Sequence, residues 1–184
     1  MLRGYGIEAE LLPMVRARLV RIAGKEVSPA SYPEDERAQR LIEREFNLSW
    51  RSDLPTGNSL TAGRWFAPGD AGQGLASVEE GLAKTLGIQL GDELVFMIAG
   101  VEKRVKTSNF RKLAWDSMRV NFFVLTPPGV IDDAPASYIT SFHLPAEQGD
   151  AASELVRRFP GLTMIDVGAI LRQLQAVIGQ VAGA

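Results

Sequence analysis

The 184-residue chain contains no cysteine and a single histidine, His143. Without thiols there is no cysteine nucleophile, no thiolate zinc or iron–sulfur site and no redox dithiol pair. One histidine is too few for a histidine-rich metal centre, and a Ser-His-Asp arrangement would have to use His143. The lack of cysteine leaves the compartment open, because cytoplasmic domains and disulfide-free extracytoplasmic ones share it. A surplus of one charge is also missing. Lys and Arg number 20 against 22 Asp and Glu, a net charge of -2 that does not fit a nucleic-acid binder. No window approaches the roughly 20 uncharged apolar residues that cross a bilayer. The opening MLRGYGIEAELLPM places Glu8 and Glu10 where a signal peptide needs an apolar core, so a signal peptide is not expected. What is present, 46% hydrophobic and 23% charged residues, is a globular composition. The length suits one domain or two small lobes.

Alternation of Val15, Ala17 and Leu19 with Arg16 and Arg18 predicts a strand over Met14–Ile22. Ser31 and Glu34 have capping-box spacing ahead of a helix over Pro33–Phe46, whose apolar face is Ala38, Leu41, Ile42 and Phe46. Asn47–Gly74 is punctuated by glycine and proline and reads as loops and short strands. Ser77 and Glu80 repeat the capping-box spacing before a short helix with Val78, Leu82 and Leu86 in its stripe. Gly87 is placed to end that helix, with Ile88 folding back. A turn at Leu90–Asp92 leads to a hairpin, Glu93–Ala99 with Val101–Thr107, turning at Ala99-Gly100. Val120–Thr126, Ser137–Leu144 and Leu162–Val167 read as further strands. Asp150 is expected to cap a helix over Ala151–Phe159, and Asp166 or Gly168 to open the last one, with Ile170, Leu171, Leu174, Val177, Ile178 and Val181 at helical spacing. This order argues an α+β fold with an outer α/β lobe, residues 1–46 and 127–184. Into it is inserted a β-rich lobe with one short helix, residues 47–126.

Few side chains suggest chemistry. His143 lies between Phe142 and Leu144 and reads as a partly buried strand residue, and no G-x-S-x-G elbow occurs. Gly69–Gly74 lacks the Walker lysine and reads as a flexible loop. Asp132-Asp133 reads as a solvated turn, without the spacing of a calcium loop. No catalytic, cofactor-binding or metal-ligating residue is therefore assigned, and no cofactor is expected. The most uneven charge lies in Val101–Arg119, where Lys103, Arg104, Lys106, Arg111, Lys112 and Arg119 face only Glu102 and Asp116, with Phe110, Trp115 and Met118 interleaved. This is either a hairpin with a solvated basic face or a contact surface for anionic headgroups or an acidic partner. Arg111, Lys112, Trp115 and Arg119 are its candidate contact residues. After Arg172 no charge follows through Ala184. That tail is either a helix docked on the core or the approach to a membrane-spanning helix.

Specific strings add a resemblance. Gly63-Arg64-Trp65-Phe66 resembles the G-R-x-F element of FtsX-like (MacB/LolC-type) ABC transporter permeases. Ser77 through Asp92, SVEEGLAKTLGIQLGD, is similar to their E-x-x-A-x-x-L-G-[I/L]-x-x-G-D segment, also followed by a hairpin. Ser108–Pro127, with Trp115 through Phe123, resembles a narrower branch of lysophospholipase-associated permeases. Ile165-Asp166-Val167 resembles the run into the second transmembrane helix. The resemblance implies an extracytoplasmic domain, periplasmic in bacteria with two membranes, between the first and second transmembrane helices of an inner-membrane permease. It further implies a porter-like outer lobe, ATP hydrolysis on a separate cytoplasmic ATPase subunit, and a lipid, lipoprotein or protein client. The domain itself would be non-catalytic and would couple helix movement to recognition or release of that client. A periplasmic lipid- or cell-wall-acting hydrolase and a standalone adaptor domain are the alternatives.

Overall fold

The computed structural model describes residues 9–115 and 119–182. The described residues form two compact units, residues 9–141 and residues 142–182.

The larger unit is built on nine strands: β1 (Leu12–Ile22), β2 (Lys25–Glu26), β3 (Phe46–Trp50), β4 (Asn58–Gly63), β5 (Leu75–Glu79), β6 (Glu93–Ile98), β7 (Val101–Leu113), β8 (Val124–Thr126) and β9 (Ser137–Ile139). Helix α1 (Glu36–Glu43) precedes β3, and α2 (Glu80–Leu86) follows β5. Six strands close into a ring in the order β1-β3-β8-β5-β7-β6 and back to β1. The β3–β8 and β5–β7 ladders are parallel and the other four antiparallel. Closure satisfies backbone groups that an open sheet would leave at its edges. Strands β2 and β9 add to β1, and β4 adds to the far half of β7.

Alternation explains what lines the ring. Val15, Ala17 and Leu19 of β1 are buried while Arg16 and Arg18 are exposed. A register shift against β6 between Leu19 and Arg21 then reverses the phase, so that Ile22 is buried in turn. Leu94, Phe96, Val105, Ala76, Val78 and Val124 meet these side chains, with Ala38 and Ile42 of α1 and Leu82, Ala83 and Leu86 of α2 in the same cluster. Both two-residue hairpin turns, Ala23-Gly24 and Ala99-Gly100, take positive φ at each residue, 49° and 77° in the first, 48° and 82° in the second. That is the backbone sense that matches strand twist, although alanine adopts it against its own Cβ.

The α+β reading holds, with departures in detail. Helix α1 starts later than the Ser31–Glu34 spacing suggests, because the carboxylate of Asp35 accepts from the Ala38 amide at 3.0 Å while Ser31 serves the Ser28 amide in a preceding 3-10 turn. It also ends at Glu43, and Phe46 is a buried strand residue of β3, not part of a helix face. Ser77 and Val78 belong to β5, and the cap of α2 is Glu79, whose carboxylate accepts from the Gly81 and Leu82 amides at 2.9 and 2.6 Å. Gly87 at φ +73° ends α2 as expected, and the Ile88 amide returns to the Ala83 carbonyl. The strand expected over Val120–Thr126 shortens to Val124–Thr126, since the carbonyls of Phe122 and Phe123 are held outside a ladder. The strand expected over Ser137–Leu144 stops at Ile139, where its partner β1 begins at Leu12. The expected boundary between residues 46 and 47 lies inside β3, which pairs with β1.

The smaller unit contributes α3 (Gly149–Arg158) and α4 (Val167–Ala182). Gln148, not Asp150, stands at the cap position of α3. Asp166 caps α4 through the Ala169 amide at 2.9 Å, as expected. Leu162–Val167 forms no strand; it has no ladder partner to satisfy its backbone, and Leu162, Ile165 and Val167 are exposed. Along α4, Ile170, Leu171, Leu174, Val177 and Ile178 are exposed. Among the described residues no helix is long and apolar enough to cross a membrane.

Candidate functional site

The four candidate residues sit at the far end of β7 and just beyond it. Inward-facing Val105, Thr107, Asn109, Arg111 and Leu113 are buried, and Lys106 and Lys112 between them are exposed. Arg111 therefore departs from the expectation of a surface contact. Its position in the alternation carries the guanidinium into the barrel wall, where it is fully buried. Lys112 faces solvent, Trp115 is 59% exposed, and Arg119 is exposed. The Trp115 indole leans on Phe123 at 5.6 Å between centroids, and the Arg44 guanidinium lies 5.6 Å from the centre of that same ring. Trp115 thus belongs to an aromatic pair whose Phe123 ring also meets an arginine.

The expected run of positive charge does not form one basic face. Lys103 is held by both oxygens of Asp133 at 3.1 Å. Glu102 pairs with Arg21 at 2.6 Å and lies 3.9 Å from Arg104, which is also 3.9 Å from Glu93. In the same turn as Asp133, Asp132 accepts from the Gly129 amide at 2.8 Å.

Arg111 has well-placed neutral partners. Its Nε donates to Ser77 Oγ at 2.9 Å, one terminal nitrogen to Asn58 Oδ1 at 2.9 Å, and the other to the Phe122 carbonyl. Burial lowers its pKa to about 10, with the Glu79 carboxylate pulling the other way, so it stays protonated at neutral pH. Asn58 passes the connection outward through its Nδ2 to Asn121 Oδ1 at 3.3 Å, and Asn121 Nδ2 donates to the Arg119 carbonyl at 3.2 Å. None of Ser77, Asn58 or Asn121 stands out in the sequence. Continuing the alternation of Val101, Lys103, Val105 and Thr107 along β7 is the signal that points Arg111 inward.

The two recurrent strings have structural jobs. A Cβ on Gly63, at φ +74°, would lie 2.2 Å from the Ser108 carbonyl oxygen, so only glycine fits where β4 approaches β7. Arg64 grips Asp70 with two nitrogens at 2.7 and 3.3 Å, while Asp70 also accepts from the Ala67 amide at 2.7 Å. Trp65 donates to the Ser52 carbonyl, and Phe66 is buried. In the second string, Ala83, Leu86 and Ile88 are core residues, and Gly91 at φ +87° and Asp92 close a turn onto Thr107. The Gly69–Gly74 stretch begins with a 3-10 turn, Pro68–Asp70, capped by Asp70 itself.

A shallow hollow of about 290 Å³ beside β1 is lined by Glu10, Leu11, Pro13, Trp50, Arg51 and Asp53, and within it Arg51 lies 3.4 Å from Glu10. His143 is exposed and outside β9, not a strand residue, because the ladder with β1 has run out. Among the described residues no group of three or more His, Asp or Glu side chains could hold a metal ion.

No protein-family model matches the chain. The chain is 40% identical over 163 residues to the uncharacterized ABC transporter permease YbbP of Escherichia coli (strain K12); the match takes in 88% of the chain and 19% of the permease. The chain thus spans about a fifth of the length of the curated relative it matches. Among solved structures, a crystallised domain assigned to a permease protein from Porphyromonas gingivalis matches over 83% of this chain and 70% of its own, with a TM-score of 0.43 and 15% identity.

Proposed function

We propose that the chain is a non-catalytic, extracytoplasmic domain of an FtsX-like ABC transporter permease, lying in the periplasm where a second membrane is present. The observation that carries this reading is the identity shared with a permease across nearly the whole chain. Transport chemistry then belongs to the parent protein and its cytoplasmic ATPase, and the domain supplies recognition. Movement of flanking membrane helices shifts the domain as a body, which a stiff closed ring transmits well. The surface offered to a lipid, lipoprotein or protein client is that of Lys112, Trp115 and Arg119, where exposed indole and cationic side chains combine apolar area with charge. Arg111 supports that surface from within.

The test is photocrosslinking in membranes that contain the parent permease and its ATPase. A photoreactive residue at position 115 should capture a discrete client, and one at Arg18 on the exposed side of β1 should not. Equal capture from both positions, or none from position 115, would reject this surface.

A further inference from the structure

Arg111 carries a positive charge into the barrel wall, where the side chain is fully buried. Taking a charged group out of water is unfavourable, and the three hydrogen bonds that the guanidinium donates to neutral partners offset that. The guanidinium has no carboxylate partner within ion-pair distance among the described residues, and the Glu79 carboxylate is engaged by the α2 amides. The bonds of Arg111 have a direction. The Ser77 bond anchors it to β5, and the other two reach Phe122 and, through Asn58, Asn121. Both end on the irregular segment that leads into β8. The Glu79 amide adds a third tie, to the Phe123 carbonyl at 2.8 Å. The Phe123 ring on that segment is what Trp115 and Arg44 rest against.

We infer that Arg111 is a positioning residue, which fixes the 119–123 segment and through it the orientation of the exposed Trp115 surface. The inference deepens the contact-surface reading by naming what shapes that surface, and rests on it only for the surface's purpose. A planar fork of five donors is what the position requires, because one side chain must serve a hydroxyl, an amide oxygen and a main-chain carbonyl at once. Lysine cannot reach all three, and methionine can reach none.

Hydrogen exchange on the intact chain tests this without any client. Arg111→Met should raise exchange in peptides covering residues 119–123 by about tenfold or more, with β1 and β3 peptides keeping their protection. Arg111→Lys should fall between the two. Asn58→Ala, which removes the relay and keeps the arginine, should loosen the same segment by a smaller factor. It decides the matter if the methionine variant does not fold. Trp115 emission should shift to the red in each loosened variant. Unchanged exchange at 119–123, or a rise of equal size in β1 and β3, would overturn the inference. Crosslinking from position 115 reports separately on whether the surface meets a client, so either idea can fail without the other.

Discussion

Asp70 shows how a single side chain can be tuned by its neighbours. Its carboxyl is held below the ordinary aspartate value first by the hydrogen bond from Arg64 and then by that from the Ala67 amide. A carboxylate whose pKa is depressed by folding stabilises above its unfolded value, and that contribution disappears as pH falls through the folded value. Asp70→Asn should therefore melt below the parent chain at pH 7, and the gap should close as the pH drops through and below about 4. Thermal melts across that range check it; a gap independent of pH would mean that the asparagine keeps the turn by itself. Gly63 is fixed by geometry instead of charge, since the Ser108 carbonyl leaves no room for a side chain.

At the scale of elements, the two alanine-glycine turns hold a strain that the sequence can relieve. Ala99 sits at φ 48° in an exposed turn between paired Ile98 and Val101. The left-handed region costs an ordinary residue about 1 kcal/mol, and asparagine tolerates it better. Ala99→Asn should stabilise by roughly 0.5–1 kcal/mol and raise Tm by about 1–4 °C. Calorimetry reads this directly, and a lower Tm would show that the alanine methyl is needed in place.

Elements with their own local signals were legible in advance: the β1 alternation, the Gly87 stop, the Ala99-Gly100 hairpin and the Asp166 cap. Those that depend on a distant partner were not. The end of β9 is set by where β1 begins, and the irregular 119–123 segment by an arginine on another strand. Ser77 looked like a cap because its spacing to Glu80 is local, whereas its hydroxyl accepts from Arg111 on a parallel neighbour. The contact surface was legible in part. Lys112 and Trp115 are outside as composition suggested, but charge density alone could not tell Arg111 from Lys112. Strand phase could.

For the whole molecule, every strand ladder of the barrel lies between residues 12 and 139, inside one compact unit. A chain of residues 9–141 should fold cooperatively and keep the barrel's melting transition within about 3 °C. Circular dichroism melts of that fragment beside the full chain check it, and a fragment without a cooperative transition would show that residues 142–184 complete the core.

The pairing of Leu12 with Ile139 puts β1 and β9, the first and last strands of the larger unit, side by side and antiparallel. Where such strands pair, their Cα atoms are about 5 Å apart. The barrel can therefore be spliced into a surface loop of an unrelated host without prying that loop open. Pulling the barrel's two ends apart would peel that three-residue seam one bond after another, like a zip, before tension reached the ring.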